Sequence, residues 1–453
     1  SGPYSLTRKA DMTISPSDVH TVLDRYQLVD GYSIVVDLEQ SQGVWIHDSA
    51  TGNKYLDVFT CFASWPLGYN HPDFLNDATN QKMLNACRNK IANSDLYTTE
   101  LAEFVESFGT KVTPEGYSHH FWVSGGSLAV ENALKTAFDW KARKLGRNDF
   151  HDDVNDLVIL HFNQAFHGRS GYTMSLTNTA PDKVGLYPKF DWPRVSNPFC
   201  EFDNDGNVTN DIEAAEAKAC QEIENVFDAH SDKIAAIVIE PMQGEGGDNH
   251  FRNEFLEKLR HYADEREALL VFDEVQTGFY GSGKPWFWQH TTTHPDIVSF
   301  GKKTQTCGIY ANDRIDEIEE NVFNRSSRIN STWGGNLVDM VRCTKFIEII
   351  ERDHIADRVT RVGEYVLEGL RDIARESDVF TSVRGKGSLI AFTMPSVQHR
   401  SAMLSSLMDS YVIALPCGTQ SVRFRLPLIM TIEEAGELLT RVKDAIQAMQ
   451  IAV

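Results

Sequence analysis

LLVFDEVQTGFYGSGKPWFWQHTTTHPDIVSFGKK, residues 269–303, decides how this 453-residue chain folds. It holds two short apolar runs that end in charge. Leu269 to Phe272 leads into Asp273-Glu274, and Ile297 to Phe300 leads into Gly301-Lys302-Lys303. Such runs, bounded by Gly and Pro, read as buried strands of a mostly parallel sheet. Ligands of these sheets sit outside the carboxyl ends of the strands. Asp273 and Lys302 are therefore expected to face one cleft.

An acid and a lysine at one cleft can be a plain ion pair, the simpler reading for any two strand-end charges. The second reading is pyridoxal phosphate chemistry. There a lysine forms a Schiff base with the aldehyde, and a carboxylate keeps the pyridine nitrogen protonated. It also needs a phosphate cradle and a ring-stacking group. For the cradle, the strand His120 to Val123 runs into Ser124-Gly125-Gly126-Ser127 and then into a helical pattern, Leu128 to Lys144. A strand, a tight turn and a helix start offer free amides and a hydroxyl to an anion at Gly126 and Ser127. Gly-Gly-Ser alone is a weak signal; its placement gives it weight. For the stacking group, the strand Leu157 to Phe162 is followed by Phe166-His167-Gly168-Arg169. Phe166 suits either core packing or a stack on a planar ring, and Arg169 can pair bidentately with a carboxylate.

Outward from these strands, Asp211 to His230 reads as a helix and Ala235 to Ile239 as a strand. The strand ends in the Gly-rich loop Glu240 to Gly247, which carries Glu245, and the helix Arg252 to Glu267 follows. Strand–helix alternation implies a doubly wound α/β domain over 75–340. Ahead of it, in 1–74, Ser15 to Arg25 reads as a short helix. Ile34 to Leu38, Val44 to Asp48 and Tyr55 to Thr60 read as a small antiparallel sheet that joins the smaller domain. The loop Cys61 to Pro72 is either packing or cleft lining; Phe62, Ala63 and Trp65 are its candidates for setting substrate length. In 341–453, helices to Asp353 and from Ile355 to Ser377 lead into four strands. These are Val379 to Arg384, Leu389 to Met394, Val412 to Leu415 and Val422 to Leu426. A last helix, Glu433 to Ala448, completes a small α+β domain. Alternation puts Arg423 and Arg425 on one side of a strand, as a solvated edge or as a carboxylate clamp.

Bulk properties narrow the function. An apolar fraction of 42% supports a large core. A net charge of -21 argues against nucleic acid and anionic membranes as partners. The seven cysteines lack CxxC spacing, which fits free thiols in a reducing, cytoplasmic setting and gives no metal site. No apolar run approaches a membrane helix, and no signal peptide is visible. The residues before Met12 read as a remnant outside the functional argument.

Taken together, FDEVQTG with PDIVSFGKK, supported by SGGSLAVENALK, AFHGRS, EPMQGEGG, NSTWGGN and VRFRLP, resembles the class III, or ω-, aminotransferases. The resemblance covers nearly the whole chain after Met12. It implies the type I fold of pyridoxal 5'-phosphate (PLP) enzymes, with a large mixed, mostly parallel sheet domain and a smaller domain. Lys302 is then the Schiff-base lysine and proton shuttle, and Asp273 the partner of the ring nitrogen. Gln276 would contact the ring hydroxyl, with Val275 behind the ring and Phe166, beside His167, stacked on it. Gly126 and Ser127 would hold the phosphate, with Thr332 reaching in from a second subunit of a homodimer with shared active sites.

AFHGRS, KFDWP, GEGG and NSTWGGN are most similar to the branch acting on the ε-amine of L-lysine, with 2-oxoglutarate as acceptor. The 4-aminobutyrate and ornithine enzymes are relatives. That branch implies substrate roles for Arg169, Gln276, Asn330, Glu245 and Arg423. Arg169 would hold the α-carboxylate of lysine, and Glu245 would cover Arg423 until 2-oxoglutarate arrives. The chain departs from much of the wider family at Gly-Gly-Ser, and from some relatives, which have Tyr-His, at Phe166-His167, without disturbing the chemistry. The alternatives are an ω-aminotransferase acting on ornithine, 4-aminobutyrate or a diamine, which Arg169 with Glu245 and Arg423 does not exclude, and a PLP isomerase of the same fold, which would need no 2-oxoglutarate.

Overall fold

The computed structural model describes residues 13–451; the reading made for the residues before Met12 lies outside them. Its centre is a seven-stranded sheet. In spatial order the strands are His119–Val123, Cys307–Ala311, Ile297–Phe300, Leu269–Asp273, Ile234–Ile239, Val158–Phe162 and Arg194–Val195. Only Cys307–Ala311 runs against the rest. Every residue of Ile234–Ile239, Leu269–Asp273 and Ile297–Phe300 is buried. Parallel strands covered on both faces need unbroken apolar runs, and these sequences supply them. The pairing sets Ser299 beside Asp273. The chain is an α/β protein with helices crossing between the strands, among them Gly126–Lys144, Ile212–His230 and Asn253–Glu265.

A four-stranded antiparallel sheet forms towards the C-terminus in the order Thr381–Lys386, Leu389–Thr393, Ser421–Arg425, Leu415–Cys417. A third sheet joins Trp45–His47 and Lys54–Asp57 to Val412–Ile413. Its pairing with Val412–Ile413 is parallel. Val44, Leu56 and Val58 accordingly share a core with Val366, Phe392 and Val442. The helix Leu337–Arg352 buries its apolar side with the large-sheet core instead, through Met340, Phe346 and Ile350. The core of the large sheet thus extends past residue 340, through Ile355 and Val359, and takes in Leu428.

Three local readings differ from the structure. Ile34 to Leu38 is not a strand and keeps only a bridge from Val36 to Asp48. The Asp37 carboxylate accepts from the Glu39 and Gln40 amides and turns the chain there. Val412 to Leu415 divides at Ala414, its halves entering two different sheets. The helix Val397–Asp409 was not anticipated. Its buried face is only Met403, Ser406 and Leu407, too sparse to show a period, though Ser396 caps it by accepting from the His399 amide.

Candidate active site

The strand-end loops open on a cavity of about 500 Å³. Asp273 ends its strand at this cavity. One carboxylate oxygen accepts from the Val275 amide at 3.0 Å and lies 3.2 Å from Ser299 Oγ. The other is 2.8 Å from Nδ1 of His167. Burial works against charge on His167, but the Asp273 carboxylate outweighs it and holds the imidazole pKa above its ordinary value. Nε2 of His167 is buried without a partner among the described residues.

Lys302 stands where the strand Ile297–Phe300 turns a corner, with φ of 54°. Its ammonium lies 5.7 Å from the centre of the Phe62 ring. Burial, followed by the charge of Arg423, pushes its pKa down to about 8. Lys303 points elsewhere: its Nζ donates to the carbonyls of Gln276 at 3.0 Å and Gly278 at 3.3 Å.

The helix Gly126–Lys144 begins behind Gly125, whose φ is 106°, and no side chain caps it. Its first amides therefore stay open to an anion. A Cβ on Gly126 would lie 2.7 Å from Val275, so only glycine lets the helix start meet that wall. A Cβ on Gly168 would lie 2.2 Å from Ser127 Oγ. That close approach leaves Ser127 bonded to Ser170 and Thr173.

Phe166 and Gln276 also line the cavity. The Phe166 amide donates to Glu240 at 2.9 Å, and burial pushes Glu240 up to about 7. Arg423 donates from Nη2 to Glu245 at 2.6 Å. Its Nε and Nη1 are buried without partners among the described residues. The other oxygen of Glu245 pairs with Lys183. Burial raises the Glu245 pKa, but Arg423 and Lys183 outweigh it and hold the carboxyl below its usual range. Arg169 lines the cavity and is exposed.

Asn330 and Thr332 are exposed and do not line the cavity of their own chain. Of the three candidates for substrate length, Phe62 alone lines it. Ala63 is in the core, and Trp65 packs on Tyr69 and Phe346. Arg425 turns away from the cavity into a buried pair with Asp248 at 2.6 and 2.8 Å, so the expected clamp reduces to Arg423.

A family model described as aminotransferase class-III matches residues 26–446. The chain is a class III aminotransferase. An L-lysine-epsilon aminotransferase from Amycolatopsis lactamdurans is 48% identical over 426 residues, 93% of this chain and 93% of that protein. One from Streptomyces clavuligerus is 45% identical over 439 residues, 96% of this chain and 95% of that protein. The lysine aminotransferase from Mycobacterium tuberculosis, solved in its internal aldimine form, is similar at TM-score 0.91 and 42% identity. That likeness covers 96% of this chain and 100% of that one.

Class III aminotransferases depend on pyridoxal 5'-phosphate, and the donor set of this one fits the group. The uncapped start of Gly126–Lys144 suits a phosphate. Asp273, braced by His167, suits a pyridinium, and Lys302 with its lowered pKa suits the aldehyde. Sequence reasoning missed two residues of the cavity. Glu240 could have been found, because it ends a buried strand as Asp273 does. Lys183 lies in a four-residue helical turn, Pro181–Val184, with nothing in its surroundings to mark it.

Proposed function

We propose that this class III aminotransferase moves the ε-amino group of L-lysine to 2-oxoglutarate. The products are 2-aminoadipate 6-semialdehyde and L-glutamate. The observation that carries the reading is Arg423, only 2% exposed, with two nitrogens unpartnered among the described residues and the third on Glu245. A buried guanidinium held this way is poised for a second carboxylate, and a movable acid lets one pocket take a cationic donor and an anionic acceptor in turn. Arg169 would bind the lysine α-carboxylate, which leaves the ε-amine directed towards Lys302. Bound pyridoxal phosphate supplies the aldehyde that takes up the amine and the pyridinium that accepts electrons. Asp273 keeps the proton on the ring nitrogen. Lys302, with a pKa near 8, has enough neutral form near neutral pH to take the proton from Cε and return it. Phe166 and Val275, both lining the cavity, would hold the ring. Gly126 and Ser127 would bind the phosphate, with Thr332 of the partner subunit, in a homodimer. Gln276 serves the substrate end, and Asn330, outside the cavity of its own chain, would reach it from the partner subunit. The seven free cysteines suit a reducing cytoplasm.

A stopped-flow test follows the visible absorption of the PLP-loaded enzyme. L-lysine should bleach it faster than L-ornithine or 4-aminobutyrate, and 2-oxoglutarate should restore it. Faster bleaching by ornithine would move the substrate by one methylene, a difference of only about 1–3 kcal/mol in a pocket. Turnover without any need for 2-oxoglutarate would overturn the transaminase reading.

A further inference from the structure

The acid that covers Arg423 is shared. One oxygen of Glu245 takes the Arg423 Nη2 hydrogen bond at 2.6 Å, and the other pairs with the Lys183 ammonium. Lys183 is held in place by its surroundings. Its Nζ lies 5.4 Å from the centre of the Phe166 ring and 3.5 Å from Thr179 Oγ1. The two cations differ in burial: Arg423 is 2% exposed, Lys183 28%. The deep cation is the one the acceptor needs, and the outer cation is the one Glu245 can keep.

We propose that Lys183 is a positioning residue for acceptor binding, holding Glu245 when that acid leaves Arg423. The inference rests on the lysine and 2-oxoglutarate reading above. A carboxylate already half-neutralised by one ammonium binds a second cation less tightly than a bare carboxylate does. Lys183 thus weakens the Glu245–Arg423 pair and keeps the released acid from standing unpaired in a half-buried site. Only an effect that differs between the covered and uncovered states can shift the equilibrium, and Lys183 supplies one. It favours the uncovered state, which binds the dicarboxylate. The lysine half-reaction, in which Glu245 stays on Arg423, depends on Lys183 less.

The test is a double-mutant cycle on the PLP-loaded enzyme. It reads the affinity for glutarate, which has both carboxylates and no ketone, by calorimetry. Lys183→Met should weaken glutarate binding about fivefold, close to 1 kcal/mol. Lys183→Arg should restore it to within about twofold. In a Glu245→Gln background, Lys183→Met should change it by less than about twofold, because its effect passes through the acid. KM for 2-oxoglutarate should rise in step, with the rate of bleaching by lysine less affected. Equal weakening in both backgrounds would overturn the proposal, since Lys183 would then act on the acceptor itself. No weakening in either background would overturn it too. A wild-type enzyme that binds no glutarate and is not restored by 2-oxoglutarate would remove the acceptor reading and this proposal together.

Discussion

Replacing Asp57 by alanine tests whether one wall of the cavity is held under strain. Thr60, Cys61, Phe62 and Ala63 have φ of 45°, 51°, 59° and 68°, a left-handed turn made without glycine. Left-handed helix costs about 1–2 kcal/mol per L-residue, so the turn carries roughly 4–8 kcal/mol. Asp57 is the clamp. It accepts from the Phe59 amide at 3.0 Å, the Thr60 amide at 2.7 Å and the Tyr69 hydroxyl at 3.0 Å. Hydrogen bonds to a charged group contribute about 1.5–3 kcal/mol each, so the three together match the strain in size. Removing the carboxylate should therefore let the turn relax. The net loss of stability is the small difference between these terms, about 1–3 kcal/mol, not the full value of the bonds.

Calorimetry should then show Tm falling by roughly 1–3 °C, because an unfolding entropy of about 2.1 cal/mol/K per residue is large over 453 residues. Phe62, which faces the Lys302 ammonium, should move, and KM for lysine should rise while the visible spectrum stays. A loss of about 5 kcal/mol or more, with the turn still left-handed in a crystal structure of the variant, would refute the reasoning, because no strain would have been released. A loss below about 0.5 kcal/mol with the turn intact would show that Asp57 is not the clamp.

Three more outcomes are expected. Lys302→Ala should lower turnover by about 10⁴ or more in a steady-state assay without lowering Tm, since it removes a lysine whose charged form burial disfavours. Asp273→Asn should slow bleaching by lysine about 10²–10³-fold, or about 3–4 kcal/mol, and NMR titration should find the His167 pKa lowered once its carboxylate partner is gone. The third concerns pH. Burial holds His120, His161, His250 and His290 down to about 4, 3, 4 and 4, so the stability they contribute is present above pH 6.5 and lost as pH falls towards those values. Glu240, Glu274 and Asp57, raised to about 7, 7 and 6, act with the opposite sign and add stability as pH falls through their own range. Tm should be nearly flat between pH 6 and 7.5, where the two sets oppose, and should drop below pH 5.5, where the histidines prevail; a rising Tm there would contradict the assignment.

Much of the site was legible because of where its chemistry sits. Asp273 and Lys302 end runs that are apolar throughout, and a strand buried on both faces leaves no other reading. The uncapped helix start at Gly126 was legible from its order of strand, glycines and helix. Lys183 was not, because its place beside Glu245 depends on a loop fold and not on a period. The turn at Thr60–Ala63 was not legible either. Left-handed backbone is announced in sequence by Gly or Asn, and this one is enforced by the Asp57 side chain. Asp57 itself reads as an ordinary strand residue. Asn330 and Thr332 stand exposed outside the cavity of their own chain, and their proposed place is in the partner's.

Arg423 and Arg425 show why a pattern of alternation stops short of function. They lie two residues apart on one strand, and both answer to acids from the same Gly-rich loop. Arg425 and Asp248 are 1% and 0% exposed and doubly bonded, with the Asp248 carbonyl also held by Arg384. Breaking that pair would leave a lone buried charge, at about 3–5 kcal/mol, so it fixes the base of the loop to the sheet. Glu245, three residues earlier, is 28% exposed and has a second cation in reach. Its proposed departure from Arg423 would therefore leave no carboxylate buried and unpaired. In the proposed exchange the locked pair would let the movable one act alone: with the loop base pinned, uncovering Arg423 would need a side-chain rotation and no shift of the main chain.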